Sequence, residues 1–241
     1  MSRFLERARK LIHILCIPEW RHALLAYRVA AGAEHAVVLK QLGELQSVVD
    51  IGANRGQFAL AARRCFPSAE IISFEPLSMP AGKYRSVFSD DERVILHEVA
   101  IGPSMGDAHI HLSARDDSSS LLPISEAQSN LFPGTEGIGT VVVKVALLAA
   151  FLGDGVHQPA LLKIDVQGFE LQALSGCEPR LGCFDWIYVE CSFVELYSGQ
   201  ALADEVIAWL QVRGWALSGV YNMLFDRAGK AIQADFLFSK R

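Results

Sequence analysis

Two carboxylates, Asp50 and Glu75, stand 25 residues apart, and each closes a short apolar run. The first run and the turn after it, Ser47 to Phe58, read SVVDIGANRGQF; the second, Ile71 to Pro76, reads IISFEP. Two such strands with a Gly turn between them deliver both acids to one edge of a parallel sheet, which is how an α/β sheet holds a nucleoside. Backbone lies close to the ligand at the turn, and the second acid accepts the ribose hydroxyls. A dinucleotide site asks for G-x-G-x-x-G, so that a pyrophosphate can approach a helix N-terminus. Here Gly52 and Gly56 are spaced G-x-x-x-G, and Asn54 takes the place of the second glycine. Asp50, just before the turn, would repel a phosphate but suits an ammonium group. S-adenosylmethionine has an ammonium, a sulfonium and no phosphate, so the local chemistry favours this methyl donor over NAD. A nicotinamide-dependent oxidoreductase is the rival enzyme class. A turn that merely needs glycines is the blander reading, and it leaves Glu75 unexplained.

Two further acids could serve the reaction itself. Methyl transfer to an alcohol needs in-line approach, a group to take the hydroxyl proton, and exclusion of water. Asp165 ends the apolar run Leu161 to Ile164 and is the candidate base, since a half-buried carboxylate gains proton affinity. The competing reading has it held by Lys163 or by the N-terminus of the following helix. Glu190 ends the neighbouring run Trp186 to Val189 and could orient substrate or join Asp165 around Mg²⁺. Two acids without a third oxygen ligand fit a metal poorly, so Mg²⁺ is not favoured and no metal ligands are assigned. His109 and His111 share one face of a strand, as a metal pair or simply a solvated face. His97 reads as structural. His22 and His35 could reach the site only if an N-terminal arm folds over it.

The elements that must position these groups follow from the pattern. Residues 1–46 read as helices. From Ser47, short apolar strands alternate with helical runs, the signature of βαβ units. Strands are expected near 47–51, 70–74, 93–99, 160–165, 185–191, 215–221 and 233–239, and helices near 57–65, 78–88, 168–175 and 201–213. The last two strands meet across Asp226 to Gly229 as an antiparallel hairpin. The expected architecture is α/β, a Rossmann-like methyltransferase fold: a mostly parallel seven-stranded sheet with an antiparallel C-terminal hairpin, residues 47–241, preceded by a helical arm, 1–46. Residues 102–145 read as an irregular insertion that opens with a hairpin, 102–112, and continues as a polar loop, 113–140. Loops of that length in a compact domain are functional or disordered. Ser118, Ser119, Ser120 and Phe132 to Thr135 are candidates for a lid over the acceptor. Phe193, Tyr197, Tyr221 and Asn222 are candidates for an aromatic wall.

Composition narrows the partners. The chain has 241 residues, 51% hydrophobic and 20% charged, with a formal net charge of −5. No dense Lys/Arg stripe is present, so nucleic acid is not expected as the main partner. Arg3, Arg7, Arg9 and Lys10 precede an apolar run, Leu11 to Ile17, that is too short to span a bilayer and lacks a small-residue cleavage site. A helix packed on the domain is the better reading of it than a peripheral membrane contact. Five cysteines without any C-x-x-C point to reduced thiols in a cytoplasmic protein.

Five segments in order carry a resemblance: Val49 to Phe58, Phe74 to Pro76, Ser118 to Leu122, Leu162 to Glu170, and Val189 with Glu190. Together they resemble the FkbM-family methyltransferases over residues 47 to about 239. The resemblance implies an S-adenosylmethionine-dependent O-methyltransferase acting on a hydroxyl of a carbohydrate or related secondary metabolite, a small molecule or glycan. It implies donor contacts from Asp50, Gly52, Ala53, Asn54, Gly56, Phe58, Glu75, Pro76 and Ala100, with Asp165 beside the transferred methyl. One departure stands out. Family members commonly have Thr-Leu-Asp before the Lys-Ile-Asp strand, where this chain has Leu147-Leu148-Ala149. If that acid only caps a helix, its loss costs about 1 kcal/mol. A donor-binding fold without catalysis is the non-enzyme alternative. The N-terminal helices are a candidate interface for a second copy of the chain.

Overall fold

The computed structural model describes residues 3–153 and 155–241, the side chains of residues 3–7 excepted, so those of Arg3 and Arg7 lie outside the described residues. Seven strands form the main sheet. These are β1 (Ser47–Ile51), β2 (Glu70–Phe74), β3 (Val94–His97), β7 (Ala160–Ile164), β8 (Trp186–Ser192), β9 (Trp215–Phe225) and β10 (Ala231–Lys240). Their order is β3-β2-β1-β7-β8-β10-β9. The strands from β3 to β8 run parallel, and β10 pairs antiparallel with both β8 and β9. β1 and β7 are buried at every position, as expected for strands covered on both faces. The order reverses between β1 and β7, so the crevice beyond their C-terminal ends is the topological switch point where open α/β sheets bind ligands.

Helices α1 (Arg3–Cys16), α2 (Pro18–Tyr27), α3 (Ala36–Leu39), α4 (Gln57–Cys65) and α5 (Ser78–Val87) precede a short α6 (Glu126–Leu131). After them come α7 (Ala149–Leu152), α8 (Glu170–Cys177) and α9 (Ala203–Gln211). One face of the sheet buries Leu174 of α8 and Leu210 of α9 against Leu162, Val189 and Phe236. The other buries Trp20, Val38 and Leu39 with Leu60 and Ala61 of α4 against Val48, Ile71 and Leu237. The N-terminal segment thus shares its core with the sheet, and the indole of Trp20 donates to the Leu60 carbonyl at 3.0 Å.

Residues 102–145 are more regular than the sequence suggests. β4 (Ala100–Ile101), β5 (Gly106–Ser113) and β6 (Gly137–Ala146) form a separate three-stranded sheet in the order β4-β6-β5. The expected hairpin across residues 102–106 is therefore corrected: β4 and β5 flank β6 on either side and do not pair with each other. β6 escaped notice because its outward positions are apolar. Ile138, Val141 and Val142 are exposed, which blurs the period-2 alternation that marks a half-buried strand. Ala149, the departure noted above, is the first residue of α7, whose N-terminus has no side-chain cap.

Candidate functional site

A cavity of about 520 Å³ opens at the switch point, within the range of roughly 300–1,000 Å³ typical of ligand sites. The turn after β1 forms its floor. Gly52, Asn54 and Gly56 all take left-handed backbone conformations, at φ +79°, +46° and +91°. Asparagine tolerates this region better than most side chains, which lets Asn54 stand where a dinucleotide site has glycine. A Cβ on Gly52 would lie 1.8 Å from the Asp165 carbonyl oxygen, so only glycine lets the turn rest against the end of β7.

Glu75 closes the turn. Its Oε2 accepts from the Asn54 backbone N–H at 2.9 Å and its Oε1 from that of Leu77 at 2.8 Å. A carboxylate offers about four lone-pair sites, so two are left for a ligand. Burial pushes its carboxyl up to about 7, against the pull of those two N–H groups.

Of the residues assigned to the donor from sequence, Gly52, Ala53, Asn54, Phe58, Glu75, Pro76, Ala100 and Asp165 line the cavity. Asp50 and Gly56 do not. Asp50 is wholly buried, and its Oδ1 pairs with Lys163 Nζ at 2.9 Å. Burial pushes the Asp50 carboxyl up and Lys163 opposes the shift. Burial also works against the Lys163 charge, but Asp50 and Asp165 outweigh it and hold the ammonium above its ordinary value. Lys163 in turn donates to the Gly52 carbonyl at 3.1 Å. Asp50 therefore supports the turn from beneath through Lys163. Gly56 faces the rings of Tyr84 and Phe88, where a Cβ would come within 2.7 Å of Phe88.

Asp165 is a third exposed and reaches the cavity. Lys163 lies 3.9 Å from its Oδ2, and Asp50, at 2.9 Å, is the nearer acid. Gln167 Nε2 bridges Asp165 Oδ1 at 2.8 Å and Glu190 Oε2 at 3.1 Å, and Gln233 Nε2 donates to Glu190 Oε1 at 2.7 Å. Glu190 itself is set behind these two amides. Burial and the Asp165, Asp235 and Glu170 carboxylates push it well above the ordinary range. Glu170 accepts from the Val166 and Gly168 N–H groups at 3.1 and 3.0 Å, holding the turn into α8. Among the described residues no cluster of three or more His, Cys, Asp or Glu could hold a metal ion.

The lid residues do reach the site. Ser118, Ser119, Ser120, Phe132 and Thr135 all line the cavity. Arg55 Nε donates to Asp116 Oδ2 at 2.7 Å, tying the lid to the turn after β1. The expected aromatic wall is different: Phe58, Phe74, Phe132 and Phe169 line the cavity, whereas Phe193 packs on Phe236 and Tyr221 bonds Gln41. Tyr197 bridges Gln167 Oε1 and the Ser118 carbonyl from behind. His35 lines the cavity, whereas His22 packs on Tyr27 and His97 stacks on Phe74. His109 is exposed on β5 and His111 half-buried, and neither lines the cavity.

Sequence reading missed Gln128, Gln233, and the Lys10–Glu34 pair at 2.6 Å, all of which line the cavity. Gln128 Oε1 is buried with no hydrogen-bond partner among the described residues. Such an acceptor is costly unless a ligand N–H or O–H meets it. Together with the free lone pairs of Glu75, it makes the cavity fit a polar ligand of nucleoside type.

Comparison with known proteins agrees with this geometry. A family model described as the methyltransferase FkbM domain matches residues 50–216. The 2-O-methyltransferase NoeI of Sinorhizobium fredii is 29% identical over 160 residues, 64% of this chain and 66% of that protein's own length. The 31-O-demethyl-FK506 methyltransferase FkbM of Streptomyces tacrolimicus is 26% identical over 202 residues, covering 74% of this chain and 75% of that one. Among solved structures, a precorrin-6y C5,15-methyltransferase from Geobacter metallireducens has the same fold, with a TM-score of 0.50 at 13% identity and 86% of each chain covered. The chain belongs to the FkbM family of S-adenosylmethionine-dependent methyltransferases.

Proposed function

We propose that this protein transfers the methyl group of S-adenosylmethionine to a hydroxyl of a carbohydrate or related secondary metabolite. The observation that carries the reading is that the nucleoside-type acceptor groups and Asp165 share one cavity at the switch point. Glu75, the Gly52–Asn54 backbone and Asp165 line one cavity, so a nucleoside held by the first two would lie beside the third. The 2-O- and 31-O- in the names of the two relatives support a hydroxyl acceptor. The donor supplies an electrophilic methyl on sulfur, and the chain's residues do the positioning. Glu75 accepts the ribose hydroxyls. Asp165, fixed by Gln167, aligns the acceptor hydroxyl. Glu190 keeps Gln167 in place through its second oxygen. The lid over Ser118 to Ser120 excludes water. The first test is calorimetric titration with S-adenosylhomocysteine, with NAD⁺ as control: micromolar binding of the former alone is expected, and its absence would refute the donor reading.

Two outcomes follow at named residues. Asp165→Asn should leave S-adenosylhomocysteine affinity within about threefold while slowing transfer about 10²-fold, the cost of a misaligned reacting group. Unchanged turnover would remove Asp165 from the reaction. The second concerns pH. Glu75 is pushed up to about 7, and ribose hydroxyls donate to its charged form. Binding must therefore expel a proton below pH 7, so affinity should fall by up to about tenfold per unit as pH drops and level off above about 8. Glu75→Gln should bind more weakly and flatten this slope; a wild-type profile already flat from pH 5.5 to 8.5 would exclude Glu75 as the ribose acceptor.

A further inference from the structure

His35 ends a 3₁₀ turn, Ala33–His35, in the N-terminal segment. The preceding Gly32 N–H donates to the Gln57 carbonyl at 2.8 Å, which pins the turn to the start of α4. The imidazole stands edge-on to Phe58 and Tyr188, at centroid distances of 5.2 and 5.7 Å. Its Nδ1 lies 3.1 Å from Tyr188 Oη and 3.6 Å from Asp235 Oδ2.

The hydrogen bonds around it fix where its proton sits. Tyr188 Oη donates to Asp235 Oδ2 at 2.7 Å. Asn222 Nδ2 donates to the same oxygen at 2.7 Å and to Tyr188 Oη at 3.2 Å. Burial pushes the Asp235 carboxyl up, but His35 and the two donors on Oδ2 oppose the shift and favour the carboxylate, which can only accept. Tyrosine has a single hydroxyl proton, and Tyr188 donates it in the hydrogen bond to Asp235. The contact between Tyr188 and His35 must then run from Nδ1–H to Oη. A neutral imidazole with its proton on Nδ1 carries a lone pair on Nε2. Nε2 has no hydrogen-bond partner among the described residues, and the ring lines the cavity.

We propose, resting on the methyltransferase reading above, that His35 is the catalytic base of the reaction. The acceptor oxygen attacks the methyl carbon. The new O–C bond forms as the C–S bond breaks, and the electron pair of that bond returns to sulfur, leaving a neutral thioether. The hydroxyl proton passes to Nε2. The imidazolium so formed is stabilised by Asp235, whose carboxylate is already in place. The other charges facing the ring come as pairs, Glu34 with Lys10 and Asp50 with Lys163. Asp165 retains the alignment of the hydroxyl, since its Oδ1 is held by Gln167. Tyr188, Asn222 and Asp235 are positioning residues that act through His35. General bases contribute about 10²–10⁴-fold.

The test uses the full chain, ¹⁵N-labelled at histidine, with S-adenosylhomocysteine added. Long-range ¹H–¹⁵N spectra, assigned by comparison with His35→Gln, should show His35 as a neutral ring with its proton on Nδ1. Tyr188→Phe should shift that population toward the Nε2–H form. A proton on Nε2 in the wild type, or a ring charged up to pH 8, would overturn the proposal. In parallel, methyl-labelled S-adenosylmethionine is offered to a set of methyl hexopyranosides. His35→Gln should lose at least about 10²-fold in kcat and the acid limb of the pH–rate profile, with S-adenosylhomocysteine affinity within twofold. Turnover at the wild-type rate would also overturn it. Should His35→Gln not fold, Tyr188→Phe carries the same comparison, with a smaller loss and an altered pH limb. Calorimetry on the wild type reads the donor assignment separately, so failure of that reading is distinguishable from failure of the base.

Discussion

Gly52→Ala is expected to abolish S-adenosylhomocysteine binding and to destabilise the fold by about 4 kcal/mol or more, at the severe end for single substitutions. Two effects add. The left-handed backbone at φ +79° costs about 1–2 kcal/mol for any residue with a Cβ. The Cβ would also sit 1.8 Å from the Asp165 carbonyl oxygen, which belongs to the backbone and cannot swing aside. The turn must then lift off the end of β7, carrying with it Asn54, which Glu75 holds, and the backbone that faces the donor. Gly43→Ala separates the two effects, because Gly43 has φ +72° with nothing within 4 Å of its Cβ. That variant should lose only the conformational part, about 1 kcal/mol, and bind normally. Thermal unfolding and calorimetry on the pair decide the matter. Equal melting temperatures for the two variants would mean that the contact between the turn and β7 is not as close as the structure has it.

The second large effect is expected at Lys163→Met. Asp50 is completely buried and the Lys163 side chain is 5% exposed, so removing the ammonium strands a carboxylate in the core. Leaving one member of a buried pair costs about 3–5 kcal/mol, whereas replacing both with apolar groups is often neutral. Lys163→Met alone should therefore unfold far below the wild type, and Asp50→Leu/Lys163→Met should recover most of the loss. The pH dependence carries the sign. Without its cation, Asp50 binds a proton more tightly when folded than when unfolded, so the single variant should regain stability relative to wild type as pH falls from 7 toward 5. A single variant as stable as the double one at pH 7 would show that loss of Lys163 does not strand a charged Asp50 in the core.

The parts of this site that could be read from the chain are those written in local sequence. The turn after β1 announces itself through Asp50, Gly52 and Gly56, and Glu75 through its position at the end of an apolar run. Asp165 follows from the same rule. All seven strands of the main sheet begin within two residues of where the apolar runs place them, and β1 and β7, buried at every position, need the least context to be recognised. The family match sets the dinucleotide-binding alternative aside. What could not be read depends on elements far apart in sequence. Asp50 looked like a ligand for an ammonium because its partner, Lys163, lies 113 residues away and meets it only through the pairing of β1 with β7. Gln128 gives no signal in sequence, since its meaning comes from an oxygen left without a donor. Gln233 and Asp235 acquire theirs from an antiparallel register that sets Asp235 opposite Glu190 on β8. His35 could be placed near the site only by knowing that the N-terminal helices fold against the sheet.

That last feature has a consequence for the cavity wall. Lys10, Glu34 and His35 line the cavity, yet all three precede the stretch, from residue 50 onward, that matches the family. Part of the cavity wall is thus written in a segment that precedes the portion shared with the family. Substitutions there alter the cavity wall without touching the turn after β1 that Glu75 holds.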